Sequence, residues 1–137
     1  MVEPAAGVDR TFLVLLYDAY REEEVRGEKR VFLQLHPQIA PVQVAVLPLS
    51  RNEKLVPLAQ EVYSKLRPRF TTQYDDAQSI GRRYRRQDEI GTPLCVTIDF
   101  DSLEDKAVTI RERDSMDQTR VRIEELAPAL REKLGEI

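Results

Sequence analysis

The run Val42 to Leu49 (VQVAVLPL) is nearly continuous in apolar residues and of strand length, and it limits the possible folds more than any other segment. A strand apolar on both sides must be covered on both sides, which is the situation inside a parallel sheet sandwiched by helices. The residues after it agree. Ser50 and Glu53 have the spacing of a capping box, and Leu55, Leu58, Ala59, Val62 and Leu66 follow on one helical face. Pro57 fits a helix only near its first turn, which blurs where this one starts. Phe70 to Tyr74 reads as a second strand and Ser79 to Ile90 as a second helix, with Ile80, Tyr84 and Ile90 loosely periodic. In PLCVTIDF, Leu94, Val96, Ile98 and Phe100 alternate with Cys95, Thr97 and Asp99, giving a strand with two unlike faces. Lys106 to Arg113 and Gln118 to Ile123 alternate similarly across the polar turn Asp114 to Asp117, as an antiparallel hairpin does. Leu126, Leu130 and Leu134 line a last helix. Strand, helix, strand, helix, three strands and helix make a layered α/β domain with a mixed, mostly five-stranded sheet.

Before this unit, Phe12, Leu15, Leu16 and Ala19 recur at helical spacing. They predict a helix from about Arg10 to Val25, with Asp9 as N-cap and Arg26-Gly27 as its stop. Arg30 to Pro41 alternates briefly at Val31, Leu33 and Leu35 and then meets two prolines, so it is expected to be a connector and a domain boundary. No apolar run approaches the length needed to span a bilayer, and MVEPAAG has no basic-then-apolar signal pattern, so a cytoplasmic setting is expected. Cys95 and His36 are each alone, which excludes an internal disulfide and any metal site built from several Cys and His ligands. Cys95 reads most simply as a small core residue.

The net charge of -3 argues against indiscriminate polyanion binding, so any nucleic-acid contact must be local. Arginines gather in two places: Arg82, Arg83, Arg85 and Arg86, and then Arg111, Arg113, Arg120 and Arg122. Arg82, Arg85 and Arg86 share a helix face and can meet phosphates, or can pair with Asp88 and Glu89 as a solvated face. Arg111 and Arg113 project from one face of a strand, with Glu112 opposite.

The segments AVLPLSRNEKL, YDDAQSIGRRYRRQDEIGTPLCVTIDFDSLED and VTIRERDSMDQTRV resemble, in order, the anticodon-binding domain of glycyl-tRNA synthetases, members of class IIa. VEPAAGVDRTFL resembles the third signature of class II synthetases. Leu94 and Glu112 stand where Phe and Asp are common in the family. The resemblance implies a catalytic-domain remnant at 1–28, a linker at 29–41 and a three-layer anticodon-binding domain at 42–137.

It also implies roles. In the parent enzyme Glu3 faces the glycine amine and Arg10 packs on ATP. Arg113 and Arg111 read anticodon bases with Phe100, Asp101 and Glu104 nearby, and Arg82, Arg85 and Arg86 meet tRNA phosphates. The expected partner is glycine tRNA, and the expected parent is a homodimeric glycine–tRNA ligase using ATP and magnesium. The first two class II signatures have no counterpart, so the chain is expected to bind tRNA without catalysing and to need no cofactor itself. An accessory protein reusing the anticodon-binding fold is the rival reading. A flavodoxin-like enzyme ranks last, for want of a glycine-rich phosphate loop after the first strand.

Overall fold

The computed structural model describes residues 3–25 and 27–135, with side chains described for 10–24 and 27–135. Helix α1 (Glu3–Ala19) leads into an antiparallel hairpin, β1 (Tyr20–Val25) and β2 (Glu28–Leu33). The main unit follows as β3 (Val44–Pro48), α2 (Leu55–Leu66), β4 (Thr72–Tyr74), α3 (Ile80–Ile90) and β5 (Leu94–Ile98). It continues with α4 (Ser102–Asp105), β6 (Ala107–Glu112), β7 (Gln118–Arg122), a 3-10 turn (Ile123–Glu125) and α5 (Leu126–Lys133). The expected five-stranded mixed sheet is present in the order β4-β3-β5-β6-β7, with β4, β3 and β5 parallel and β6 and β7 antiparallel.

Two expectations need correction. The first helix ends at Ala19, not at Val25. Tyr20 to Val25 contains good helix formers, but as a strand it sets Glu23 opposite Arg30 and Glu24 opposite Lys29, and these cross-strand charge pairs exist only in the hairpin. Gly27 adopts φ 78° in the turn, a conformation glycine reaches without a Cβ clash. The second correction concerns α2, which starts at Leu55 with Lys54 as N-cap and no capping box. Pro57 explains this, because a helix begun at Ser50 would carry proline in its interior, where it removes a hydrogen bond and clashes with the preceding turn.

The sheet separates two cores. Against one face, α2 and α5 press Leu55, Leu58, Val62, Leu126 and Leu130 onto Val44, Val46, Val96, Ile98, Val108 and Ile110. Each such side chain contributes about 1.5–3 kcal/mol when fully removed from water. Against the other face lies α3, whose Ile80 and Tyr84 cover Ala45, Leu47 and Cys95. The continuous apolarity of β3 is thus explained, since all five of its residues are buried, some toward each layer. Helix α3 is bounded as its sequence dictates: Ser79 Oγ accepts from Arg82 N–H at 3.3 Å, and Gly91 closes the C-terminus at φ 85°.

Candidate functional site

The layer on the α3 side is incomplete. Helix α3 covers β3 and β5, whereas on β6 and β7 the residues of that parity, Ala107 apart, are polar: Thr109 and Arg111 on β6, opposite Arg120 and Gln118 on β7. Their strand neighbours Val108 and Ile110 point the other way, into the α2–α5 core. A polar, arginine-bearing sheet surface therefore lies beside α3. At one end it opens into a cleft of about 850 Å³ between α3, β2 and the β6–β7 turn, lined by Lys29, Arg30, Tyr84, Arg85, Asp88 and Arg111 among others.

The wall of that cleft is a buried ion cluster. Asp88, 2% exposed, accepts from Arg111 at 3.1 Å on one oxygen and 3.2 Å on the other, and from Arg30 Nε at 3.3 Å. The Arg111 guanidinium lies 4.6 Å from the centre of the Tyr84 ring, a cation–π contact, and the Tyr84 hydroxyl bonds Thr97 Oγ1. Burial alone would lower the Arg111 pKa; the bidentate pairing with Asp88 outweighs it and raises the value. Asp88 was expected to pair within its own helix, but it faces inward and holds residues from two other elements.

Arg113 is placed otherwise than its expected base-reading role requires. The strand ends at Glu112, and Arg113 enters the turn with its side chain folded inward and 3% exposed. Its guanidinium donates to Gly91 O at 2.8 Å, Leu35 O at 2.9 Å and Asp114 at 2.8 Å. In this arrangement it is an internal brace. A nucleotide edge reaches it only if bonds to two buried carbonyls break.

Phe100, Asp101 and Glu104 are not beside Arg113. Because β5 and β6 pair antiparallel, with Leu94 opposite Glu112 and Thr97 opposite Thr109, the end of β5 neighbours the start of β6, at the far end from Arg113. There Phe100 is 48% exposed and Asp101 and Glu104 are exposed. The arginine at this end of the sheet is Arg120 of β7, which reaches Asp99 at 3.2 Å and Asp105 at 2.9 Å, the acids flanking that segment. Burial tends to raise the Asp99 pKa, yet hydrogen bonds from Arg120 and Ser102 hold it below the ordinary carboxylate value. Arg120 was visible in sequence only as one of a group of arginines. The opposition of Arg120 to Thr109 across the β6–β7 hairpin is the signal that singles it out.

The arginines of α3 divide by side. Arg82 and Arg85 are exposed, Arg85 paired with Glu28. Arg86 is half-buried and holds Asp75 at 2.7 Å and Ala77 O at 2.9 Å, so it fixes the loop before α3. Arg83, 1% exposed, inserts between strand ends and donates to Pro48 O, Leu49 O at 3.0 Å and Asp75 O at 3.3 Å. These carbonyls lie just beyond the carboxyl ends of β3 and β4, so Arg83 ties those two strand ends to α3. Arg10 is exposed on α1, and the side chain of Glu3 lies outside the described residues. Among the described residues no cluster of His, Cys, Asp and Glu could hold a metal ion, and no helix is long and apolar enough to cross a membrane.

Comparison with known proteins agrees with this layout. A family model described as "Anticodon binding domain" matches residues 43–133. The chain is similar to the glycine–tRNA ligase of Thermobifida fusca, 58% identical over 98% of this chain and 30% of the relative. It is also similar to that of Clostridium acetobutylicum, 58% identical over 98% and 29%. Among solved structures it resembles a prolyl-tRNA synthetase from Cryptosporidium parvum, with a TM-score of 0.67 and 25% identity over 74% of this chain and 23% of that one. The chain thus spans about 30% of the length of the curated relatives it matches. With the matched segment running from β3 to the end of α5 and the sheet order as described, the chain belongs to the anticodon binding domain family.

Proposed function

We propose that the chain recognises the anticodon of glycine tRNA as part of a glycine–tRNA ligase, the enzyme that attaches glycine to its tRNA using ATP. The observation that carries this is identity of 58% with glycine–tRNA ligases across 98% of the chain, far beyond what a shared fold requires. The uncovered sheet face supports it. Glycine codons begin GG, so the anticodon offers two cytosines, each with an exocyclic donor amine beside acceptor atoms. An arginine fork supplies donors and a carboxylate accepts from the amine. Arg120 with Asp99 and Asp105, at the strand end that carries the exposed ring of Phe100, provides both kinds of group and a stacking surface. Arg111, its fork held by Asp88, lends positive charge at the cleft wall, and the exposed Arg82 and Arg85 suit phosphates at the rim.

In this reading residues 1–28 come from the catalytic domain, 29–41 connect it to the anticodon unit, and glycine, ATP and magnesium are handled with the rest of a homodimeric cytoplasmic enzyme. Glu3 and Arg10 contribute to glycine and ATP there. The chain alone does not activate glycine.

The test is equilibrium binding of glycine tRNA, and of the same tRNA with uracil replacing an anticodon cytosine, across a salt series. Arg120→Ala is expected to lose about 1–3 kcal/mol for the cognate tRNA and little for the uracil form, whereas Arg82→Ala weakens both and shallows the salt slope. Equal affinity of the unaltered chain for both tRNAs would overturn anticodon reading.

A further inference from the structure

The hairpin residue Arg30 precedes the segment that the family model matches, yet its guanidinium is built into the cleft wall. It is buried, lies 4.0 Å above the Phe32 ring, donates to the backbone carbonyl of Arg113, and meets Asp88 Oδ2 at 3.3 Å. The same Oδ2 receives Arg111 at 3.2 Å. One carboxylate is therefore divided between two guanidiniums; Arg30 also meets Glu23 at 3.4 Å, so its charge is compensated from the hairpin side, while Arg111 has only its share of Asp88. Were Arg30 absent, Asp88 would belong to Arg111 alone and neutralise it. With Arg30 present, Arg111 is anchored in orientation against Tyr84 but only partly compensated in charge.

We infer that Arg30 is a positioning residue for recognition in this cleft: by sharing Asp88 it orients Arg111 and leaves part of that arginine's charge facing whatever RNA group enters. The inference rests on the proposed anticodon function and extends the recognition unit to the β1–β2 hairpin. The ligand is an RNA base edge, told apart from a backbone phosphate by sequence dependence against salt dependence.

Binding of glycine tRNA and of its uracil-substituted form to the full chain is to be compared for Arg30→Met, Arg30→Lys, Arg111→Lys and the double variant Arg30→Met/Arg111→Lys, with thermal melts to confirm folding. Arg30→Met is expected to reduce the ratio of cognate to substituted affinity by about tenfold, the scale of one base-reading contact. The double variant discriminates no worse than Arg111→Lys alone, because both changes remove one interaction. If Arg30→Met fails to fold, Arg30→Lys keeps the charge without the fork, and the same loss of ratio is expected from it. A loss shared equally by both tRNAs, with a shallower salt slope, makes Arg30 a phosphate contact and overturns the inference. An unchanged ratio in a folded Arg30 variant overturns it too. If the unaltered chain shows no discrimination, the proposed function itself falls and takes this inference with it. Discrimination that depends on Arg111 but not on Arg30 defeats the inference alone.

Discussion

At the scale of single residues, the side chains that look alike in sequence separate by what surrounds them. Arg111 and Arg113 have the same parity on paper, but only Arg111 lies within a strand; Arg113 falls where the chain turns, so parity stops predicting its direction. Replacing Arg113 by Ala or Lys leaves the Gly91 and Leu35 carbonyls short of donors. Each orphaned buried group costs about 1–3 kcal/mol, so a stability loss of a few kcal/mol is expected in urea titrations, with lysine rescuing little for lack of a fork. Cys95 behaves as its isolation in sequence implies. Burial pushes its thiol up to about 12, so thiol reagents at pH 8 are expected to leave it unmodified until denaturant is added. Asp99 supplies a pH dependence. Its folded value lies below its unfolded one, so its contribution to stability is present above the unfolded carboxylate range and is lost as pH falls through the folded value. In Arg120→Leu the Asp99 titration followed by NMR is expected to move upward, and that acid-side loss of stability to begin at higher pH.

At the scale of elements, the sheet was legible because its strands carry their burial in their composition: β3 apolar throughout, β5 apolar on one parity and polar on the other. The β1–β2 hairpin was not, because Tyr-Arg-Glu-Glu-Glu-Val has no apolar alternation and its strand character comes from pairing with Lys29 and Arg30. Tertiary pairing overrode local propensity there. The candidate site was legible in kind, as arginines and acids near strand ends, but not in arrangement. Antiparallel pairing decides which end of β6 meets the end of β5, and that puts Arg120, paired with Asp99 and Asp105, at the end where Arg113 was expected. The hairpin approaches α3 so closely at Gly91 that an added Cβ would lie 2.6 Å from Leu35 Cδ1 and 3.2 Å from Leu33 O, at φ 85°. Gly91→Ala is therefore expected to lower the melting temperature through both left-handed strain, about 1–2 kcal/mol, and displacement of the hairpin.

At the scale of the whole molecule, α1 leaves Phe12, Leu13, Val14 and Tyr17 exposed, Tyr17 at 86%. The sequence foreshadowed a stripe, and the helix shows apolar residues around most of its described surface. The chain is expected to self-associate as concentration rises, measured by sedimentation, and Phe12→Ser with Tyr17→Ser to reduce the effect.

The placement of Arg83 has a consequence for how this architecture can be remodelled. Since a buried guanidinium fills the space beyond the carboxyl ends of β3 and β4, Arg83→Ala carves out a hollow whose walls are already arranged carbonyl acceptors. Such a variant becomes a small-molecule receptor, and millimolar methylguanidinium, well below denaturing concentration, is expected to restore part of its lost melting temperature while methylammonium restores less.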